Sequence, residues 1–333
     1  MSVQDLIDLL LRHRLIIICA ATLVLGTAFV PGFFSLTTLG FSLDRGSTIG
    51  IVAVGLTVVL IAGRIDLSSG SILALTGIIL VQLQPVVGSW PAICLALLAG
   101  ALIGLLNAAI VIVTRIDAMI ATLATMLALR SLAHLMTNSL PVQGSDRAFG
   151  AAITGGGIGI FSNKVLLFFA MVALLQLWLS RTPWGRNLYA VGSSVVAARE
   201  SGINATRYVL GAFIFAGFCA GLGGVVLSLS VNTGSPVFGL NVLLSAVIAV
   251  VMGGTRLEGG RGSALGTLGG VLTIGALTTA LEYSSVPAHI QQIVIGSILI
   301  VLIVLDRVTT NRRRQALPVR TRPARAALKV SEP

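Results

Sequence analysis

Long apolar runs separated by short polar breaks dominate the chain. Windows long enough to cross a bilayer, about 17 to 25 residues each, fall near residues 15–30, 48–62, 71–87, 91–113, 118–137 and 165–180. After a polar interval they resume near 208–230, 240–253, 263–280 and 289–305. The pattern predicts about ten transmembrane helices, two of them short. Residues 48–87 read as a single helix would be roughly 60 Å long, about twice the hydrocarbon thickness. Two crossings joined by a turn at 63–71 are therefore expected.

The polar interval, residues 181–207, carries Arg181, Arg186, Arg199 and Arg207. Within it Ser193 or Ser194 is placed to cap a short helix running from Val195 to Ser201, and Gly202 to close it in the left-handed conformation. A helix of about two turns is not stable alone in water, so it needs something to dock against. With the N-terminus inside, Arg12, Arg14, Arg64, Arg115, these four arginines, Arg256, Arg261 and the eight cations from Arg307 to Lys329 share one side. Arg45, Arg147 and Lys164 fall on the other. That asymmetry predicts an even number of crossings, with both termini and the 181–207 loop in the cytoplasm.

Composition agrees. Of 333 residues, 56% are hydrophobic and 10% charged, where a soluble domain carries about 25% charged residues; mean hydropathy is +1.00. The 38 glycines suit close helix packing in a bilayer. A net charge of +11 dispersed over loops does not make a nucleic-acid face. Cys19, Cys94 and Cys219 stand singly, as do His13, His134 and His289, so neither a disulfide framework nor a metal site is expected. No catalytic constellation appears within the spans, and the sequence predicts no enzyme activity. The N-terminal residues 1–14 read as an interfacial helix before a retained first span.

Three stretches carry a family resemblance. Residues 189–203, Y-A-V-G-S-S-V-V-A-A-R-E-S-G-I, look like the coupling-helix segment of bacterial ABC sugar-importer permeases of the ribose, xylose and autoinducer-2 type. Gly63-Arg64-Ile65-Asp66-Leu67-Ser68-Ser69-Gly70-Ser71 resembles that family's G-G-I-D-L-S-V-G-S, with Arg64 and Ser69 departing from it. The strongest match runs from Ser245 to Arg307, where G-G-T-R-L-E-G-G-R-G at 253–262 resembles its G-G-T-S-L-x-G-G-x-G. A fourth, weaker match joins Ile120-Ala-Thr-Leu-Ala to Arg130. The resemblance spans about Gly50 to Arg307. It implies an all-α polytopic bundle of the ABC importer permease type: a single transmembrane domain over 1–310 and a basic cytoplasmic tail over 311–333.

The resemblance further implies a membrane subunit that imports a sugar or related polyol across the bacterial inner membrane. Its implied partners are a cytoplasmic ABC ATPase, a periplasmic sugar-binding protein, a second permease subunit, identical or different, and lipid. No cofactor is expected on this chain; ATP and Mg are used by the ATPase. In this reading Ser193, Ser194, Ala197, Ala198, Arg199, Glu200, Ser201 and Gly202 meet the ATPase, with further cytoplasmic contacts from Arg256, Glu258 and Arg261. Pathway candidates are Asp66, Ser68, Arg130, Asn138, Asn241, Thr278 and Thr279.

Each has a plainer alternative. Asp66 serves equally as a turn or cap residue. An arginine inside a span costs about 3 kcal/mol to insert, so Arg130 either pairs with helix-end carbonyls or lines the pathway. The connector 141–163 is either a partner surface or a flexible link, and Gly217/Gly221 form a helix-packing face. The turns at 63–77 and 254–269 share a form that suggests an internal repeat. Gly254-Thr-Arg-Leu-Glu-Gly-Gly-Arg lacks the Lys and Ser/Thr of a phosphate loop. Two other functions remain open: an ABC permease for branched-chain amino acids, and an ion-coupled secondary transporter, which needs an acid at mid-membrane.

Overall fold

Helix α2 (Leu36–Ile61), buried along most of its length, is the axis around which the other helices gather. The structure is a computed structural model describing residues 14–29 and 32–316. The expected interfacial helix and most of the basic tail lie outside those residues. Along the chain follow α1 (Arg14–Phe29), α2, α3 (Ser69–Val87), α4 (Ser89–Thr114), α5 (Ala118–Thr137), α6 (Arg147–Thr154) and α7 (Asn163–Arg181). Then come α8 (Pro183–Ser193), α9 (Val195–Glu200), α10 (Ala205–Val231), α11 (Leu240–Met252), α12 (Ala264–Tyr283) and α13 (Ala288–Ala316).

Seven of these, α2, α3, α4, α5, α7, α10 and α12, are long and apolar enough to cross a membrane. The chain is an all-α multi-pass membrane protein. Apolar side chains left exposed on the outer helices, among them Leu98, Leu102, Leu106, Leu127, Leu135, Leu174 and Leu177, suit contact with hydrocarbon. The described strands are two-residue pieces, β1 (Val142–Gln143) and β2 (Thr233–Gly234), paired antiparallel.

Glycines set the closest approaches in the bundle. A Cβ on Gly217 would lie 2.4 Å from the Gly100 carbonyl oxygen, and one on Gly104 2.3 Å from that of Phe213. Helices α4 and α10 therefore touch backbone to backbone across Gly100/Gly104 and Gly217/Gly221, the packing face expected from the sequence.

One element starts well before its hydropathy window. Helix α2 begins at Leu36 rather than near 48, capped by Ser35, whose Oγ accepts from Thr38 N at 3.1 Å. Its early turns carry Ser42, Asp44, Arg45 and Ser47, polar enough to hide a helix that partner charges stabilise. Helix α11, with 13 residues, matches the short window expected at 240–253. It starts beside α3, with Gly239 at φ +98 pressed against the Gly70 carbonyl.

The 141–163 connector is ordered by its own contacts. Asp146 caps α6 by accepting from Phe149 N at 2.9 Å, and Gly150 packs on the Leu229 carbonyl. Gly144 N donates to Asn232 O while Asn232 Nδ2 donates to Gly144 O, tying β1 to the end of α10.

Candidate functional site

Three loops singled out in the sequence meet at one end of the bundle. Ser194, with φ −162 and ψ 111, caps α9 through its Oγ, which accepts from Ala197 N at 3.3 Å. Ser193 instead turns its hydroxyl to the Tyr189 carbonyl. On α9, Ala198 is buried against the body while Val196, Ala197, Arg199 and Glu200 project outward. Ser201 Oγ donates to Ala197 O at 2.9 Å.

Helices α2, α9 and α11 end in the same way. Gly63, Gly202 and Gly254 adopt φ of +73, +77 and +96. At each, the glycine N–H returns to the carbonyl three residues back and the next N–H to the carbonyl five back: Arg64 to Val59, Ile203 to Ala198, Thr255 to Val250. This is the Schellman closure, open without penalty only to glycine. It gives the 63 and 254 turns, suspected of being a repeat, a common local geometry.

The loops also interlock. A Cβ on Gly192 would fall 1.8 Å from the Ile61 carbonyl oxygen, and one on Gly259 2.5 Å from Gly63 Cα. Gly260 N donates to Ile61 O at 2.9 Å, and the Tyr189 hydroxyl donates to Gly262 O at 2.8 Å. Burial raises the Tyr189 pKa, which keeps that proton in place. The 256–261 turn closes through Arg256 N to Arg261 O at 3.0 Å; Glu258 and Arg261 are exposed at its rim. Helix α8, which carries Tyr189 and Gly192 into this junction, was not anticipated. Its signal was Thr182-Pro183, a cap followed by proline at the first helical position; Thr182 Oγ1 accepts from Gly185 N at 3.2 Å.

Just inside this platform Asp66 forms a sealed polar knot. Its Oδ1 accepts from Ser68 N at 2.9 Å and Ser68 Oγ at 2.6 Å, and its Oδ2 from Ser69 Oγ at 2.8 Å. Ser68 Oγ accepts in turn from Asn107 Nδ2 at 2.7 Å, and Leu67 N donates to Thr122 Oγ1. Asp66, Ser68 and Asn107 have no exposed surface. Burial pushes the Asp66 carboxyl above its usual value, against the lowering effect of the Ser68 and Ser69 hydrogen bonds. The knot pins the start of α3 to α4 and α5, and neither Asp66 nor Ser68 faces an open cavity.

At the opposite end α2, α7, α10, α11, α12 and α13 surround a cavity of about 780 Å³. Asn241, Thr278 and Thr279 lie in its wall, together with Ser245, Gln291 and Gln292. Gln292 Nε2 donates to Asn241 Oδ1 at 3.3 Å, and Thr278 Oγ1 donates back to Ile274 O. Four charged residues line it in two pairs, Lys164–Asp44 at 2.6 Å and Arg45–Glu282. Ser162 Oγ also donates to Asp44 at 2.7 Å. Asp44, Arg45 and Lys164 were missed as cavity residues because they sit on helix turns just outside the apolar windows.

The remaining pathway candidates are not gathered there. Arg130 is half-buried beside a separate small hollow with Ser71, Met126 and Phe238, and makes no hydrogen bond to a helix-end carbonyl among the described residues. Asn138, at φ 49, ends α5 as its left-handed cap and is exposed.

Residues 38–303 match the family described as "Branched-chain amino acid transport system / permease component". The chain is 34% identical over 304 residues to the ribose import permease protein RbsC of Haemophilus influenzae, covering 89% of this chain and 93% of that one. Identity to RbsC of Bacillus subtilis is 37% over 265 residues, 78% of this chain and 81% of that one. The autoinducer 2 import system permease protein LsrD of Escherichia coli is 33% identical over 293 residues, 86% and 89% of the respective chains. No solved structure matches at a significant level.

Proposed function

The chain belongs to the branched-chain amino acid transport system / permease component family, and we propose that within it this protein is the membrane subunit of an ATP-driven, binding-protein-dependent importer of a sugar or related polyol. The observation that carries the reading is the interlocked platform at one end of the bundle. Its projecting element, α9, is a capped helix with small residues and two charges outward, continuous in the chain with α8, whose Gly192 packs on the end of the central helix α2. The printed names of the relatives, ribose and autoinducer 2 import permeases, support the substrate class.

In this proposal the platform faces the cytoplasm and a separate ATPase, which alone uses ATP and Mg; this chain holds no cofactor. A ligand-driven switch requires a contact whose energy differs between two states. Closure of the ATPase pair presses on Val196, Ala197, Arg199 and Glu200, and Glu258 and Arg261 add contacts at the rim. The push passes through Gly192 to the end of α2 and through Gly260 to the loop before α12. The opposite end, with α6 and the β1–β2 pair, receives sugar from a periplasmic binding protein, and a second permease subunit completes the channel. Ten crossings with both termini inside follow if α1, α11 and the apolar part of α13 join the seven longer spans. The protein then resides in the bacterial inner membrane.

The family's printed description favours a second reading, import of a branched-chain amino acid. The cavity chemistry argues for the polyol. Its four charges neutralise one another in pairs, leaving the amides of Asn241, Gln291 and Gln292 and the hydroxyls of Ser245, Thr278 and Thr279 as hydrogen-bond partners for an uncharged solute. The test is reconstitution with the ATPase and binding protein that co-purify, followed by uptake of labelled ribose and labelled leucine with and without ATP. ATP-dependent sugar uptake is expected. Leucine uptake alone would select the second reading, and uptake that persists without ATP but collapses with the proton or sodium gradient would remove both.

A further inference from the structure

The two ion pairs in the wall of the large cavity differ in how completely their polar atoms are engaged. Asp44 has both carboxylate oxygens occupied, Oδ1 by the Ser162 hydroxyl and Oδ2 by Lys164, whose side chain is only 11% exposed. That pair ties α2 to α7. Arg45 and Glu282 join α2 to α12 and are each other's only side-chain partners among the described residues, with 44% and 42% of their side chains exposed. A guanidinium carries more N–H donors, and a carboxylate more acceptor positions, than even a forked contact consumes. Both side chains line the cavity, so the donors and acceptors left over are open to a solute there.

Neighbouring turns extend the contact. Thr278 and Thr279 precede Glu282 by about one turn of α12, which sets hydroxyls and carboxylate on one helix face, and all three line the cavity. The Thr278 hydroxyl donates to Ile274 O, so towards a solute it offers lone pairs. Phe41 lies one turn before Arg45 on α2 and brings an exposed aromatic ring into the same wall. The C–H face of a sugar ring packs on such a surface. A donor beside an acceptor, charged singly and neutral jointly, complements two adjacent hydroxyls, one accepting and one donating. A lone hydroxyl satisfies only one of them, and an ion of either sign is attracted by one and repelled by the other.

We propose that Arg45 and Glu282 select a vicinal diol on the transported solute, Arg45 donating to one hydroxyl oxygen and Glu282 accepting from the adjacent hydroxyl, with the Thr278 and Thr279 oxygens beside them. The inference rests on the proposed import of a sugar or polyol and adds which part of that solute the cavity recognises. A pair that only held α2 to α12 would need no edge open to the cavity; Asp44, with both oxygens occupied, shows that form.

Competition binding tests the selection on the full chain, purified with its ATPase but without the binding protein, so that only the membrane subunit reads the solute. Labelled ribose is bound at equilibrium and displaced by unlabelled ribose or by 2,3-dideoxyribose, whose ring forms hold no adjacent hydroxyls. Ribose is expected to displace about thirtyfold or more strongly than the dideoxy sugar, since hydrogen bonds to charged groups are at stake. In Arg45→Gln/Glu282→Gln, which removes both charges together and leaves neither unpaired, that ratio is expected to fall to within about threefold of one. Should the double variant fail to insert, Arg45→Lys and Glu282→Gln are each expected to lower the ratio about threefold or more. A ratio unchanged by the substitutions, even with a lowered thermal midpoint, makes the pair a tie between helices and overturns the proposal. So does ATP-driven ribose uptake by a wild type whose membrane subunit binds no ribose. Absence of ATP-driven ribose uptake in the reconstituted wild type would instead remove the import reading beneath it.

Discussion

Replacing Gly192 with alanine tests the link between α9 and the bundle at its tightest point. The added Cβ would sit 1.8 Å from the Ile61 carbonyl oxygen and 2.7 Å from Gly260 N, where real Cβ contacts stay beyond 3.0 Å. The loop and the end of α2 must therefore part by roughly 1.2 Å, since neither neighbour is a flexible side chain. The same oxygen accepts the 2.9 Å bond from Gly260 N, and a shift of that size takes it out of hydrogen-bonding range. Overpacking costs about 1–3 kcal/mol and an unsatisfied buried carbonyl about 1–3 kcal/mol more, so about 2–6 kcal/mol falls on one joint. Gly202→Ala is the control. Its Cβ meets nothing within 4 Å, and the left-handed backbone adds about 1 kcal/mol. In proteoliposomes with the partner ATPase, Gly192→Ala is expected to lower the thermal midpoint and reduce ATP-driven uptake more than tenfold, whereas Gly202→Ala stays within about tenfold of the parent. Wild-type uptake and midpoint in Gly192→Ala would refute the interlock as a transmitting element.

Gly202→Trp leaves the body of the bundle undisturbed but puts a large ring into the open space beside α9; insertion is expected to be normal and ATPase association in pull-downs lost. Ser194→Ala removes the α9 cap, worth about 1 kcal/mol, and is expected to weaken ATPase affinity about fivefold in a titration while the thermal midpoint changes little. Asp66 makes a signed pH prediction. Its carboxyl is held above the usual 3.8 by burial, so above pH 4 or so the native state keeps a proton that the unfolded chain releases. Its stabilising contribution is full below the unfolded value and is withdrawn as pH rises through the folded one. The thermal midpoint of the wild type should therefore fall more steeply with rising pH than that of Asp66→Asn, and identical slopes would exclude this origin.

Much of the architecture was legible because oil-immersed helices announce themselves by length alone. The α9 cap was readable too, since Ser belongs to the small set of residues that cap a helix start and Gly is strongly favoured at the left-handed position that Gly202 takes. Helix α8 and the early turns of α2 escaped because their stability comes from partners distant in sequence: Gly262 for Tyr189, Lys164 and Glu282 for Asp44 and Arg45. No local pattern reports such a partner. Asp66 was seen as a cap, but its enclosure by Asn107 and Thr122 depends on how α3, α4 and α5 cross. Arg130 was expected either to pair with helix-end carbonyls or to line the pathway; it lies in mid-helix beside a small hollow away from the large cavity, a placement set by how α3, α5 and α11 meet.

The short α11 has a consequence for permeation. At 1.5 Å per residue it measures about 20 Å, against roughly 30 Å of hydrocarbon. In the proposed ten-crossing arrangement, about a third of the membrane depth beside the cavity would be crossed by the non-helical segments that flank α11. For the proposed sugar or polyol, hydration would then be shed over a correspondingly shorter distance.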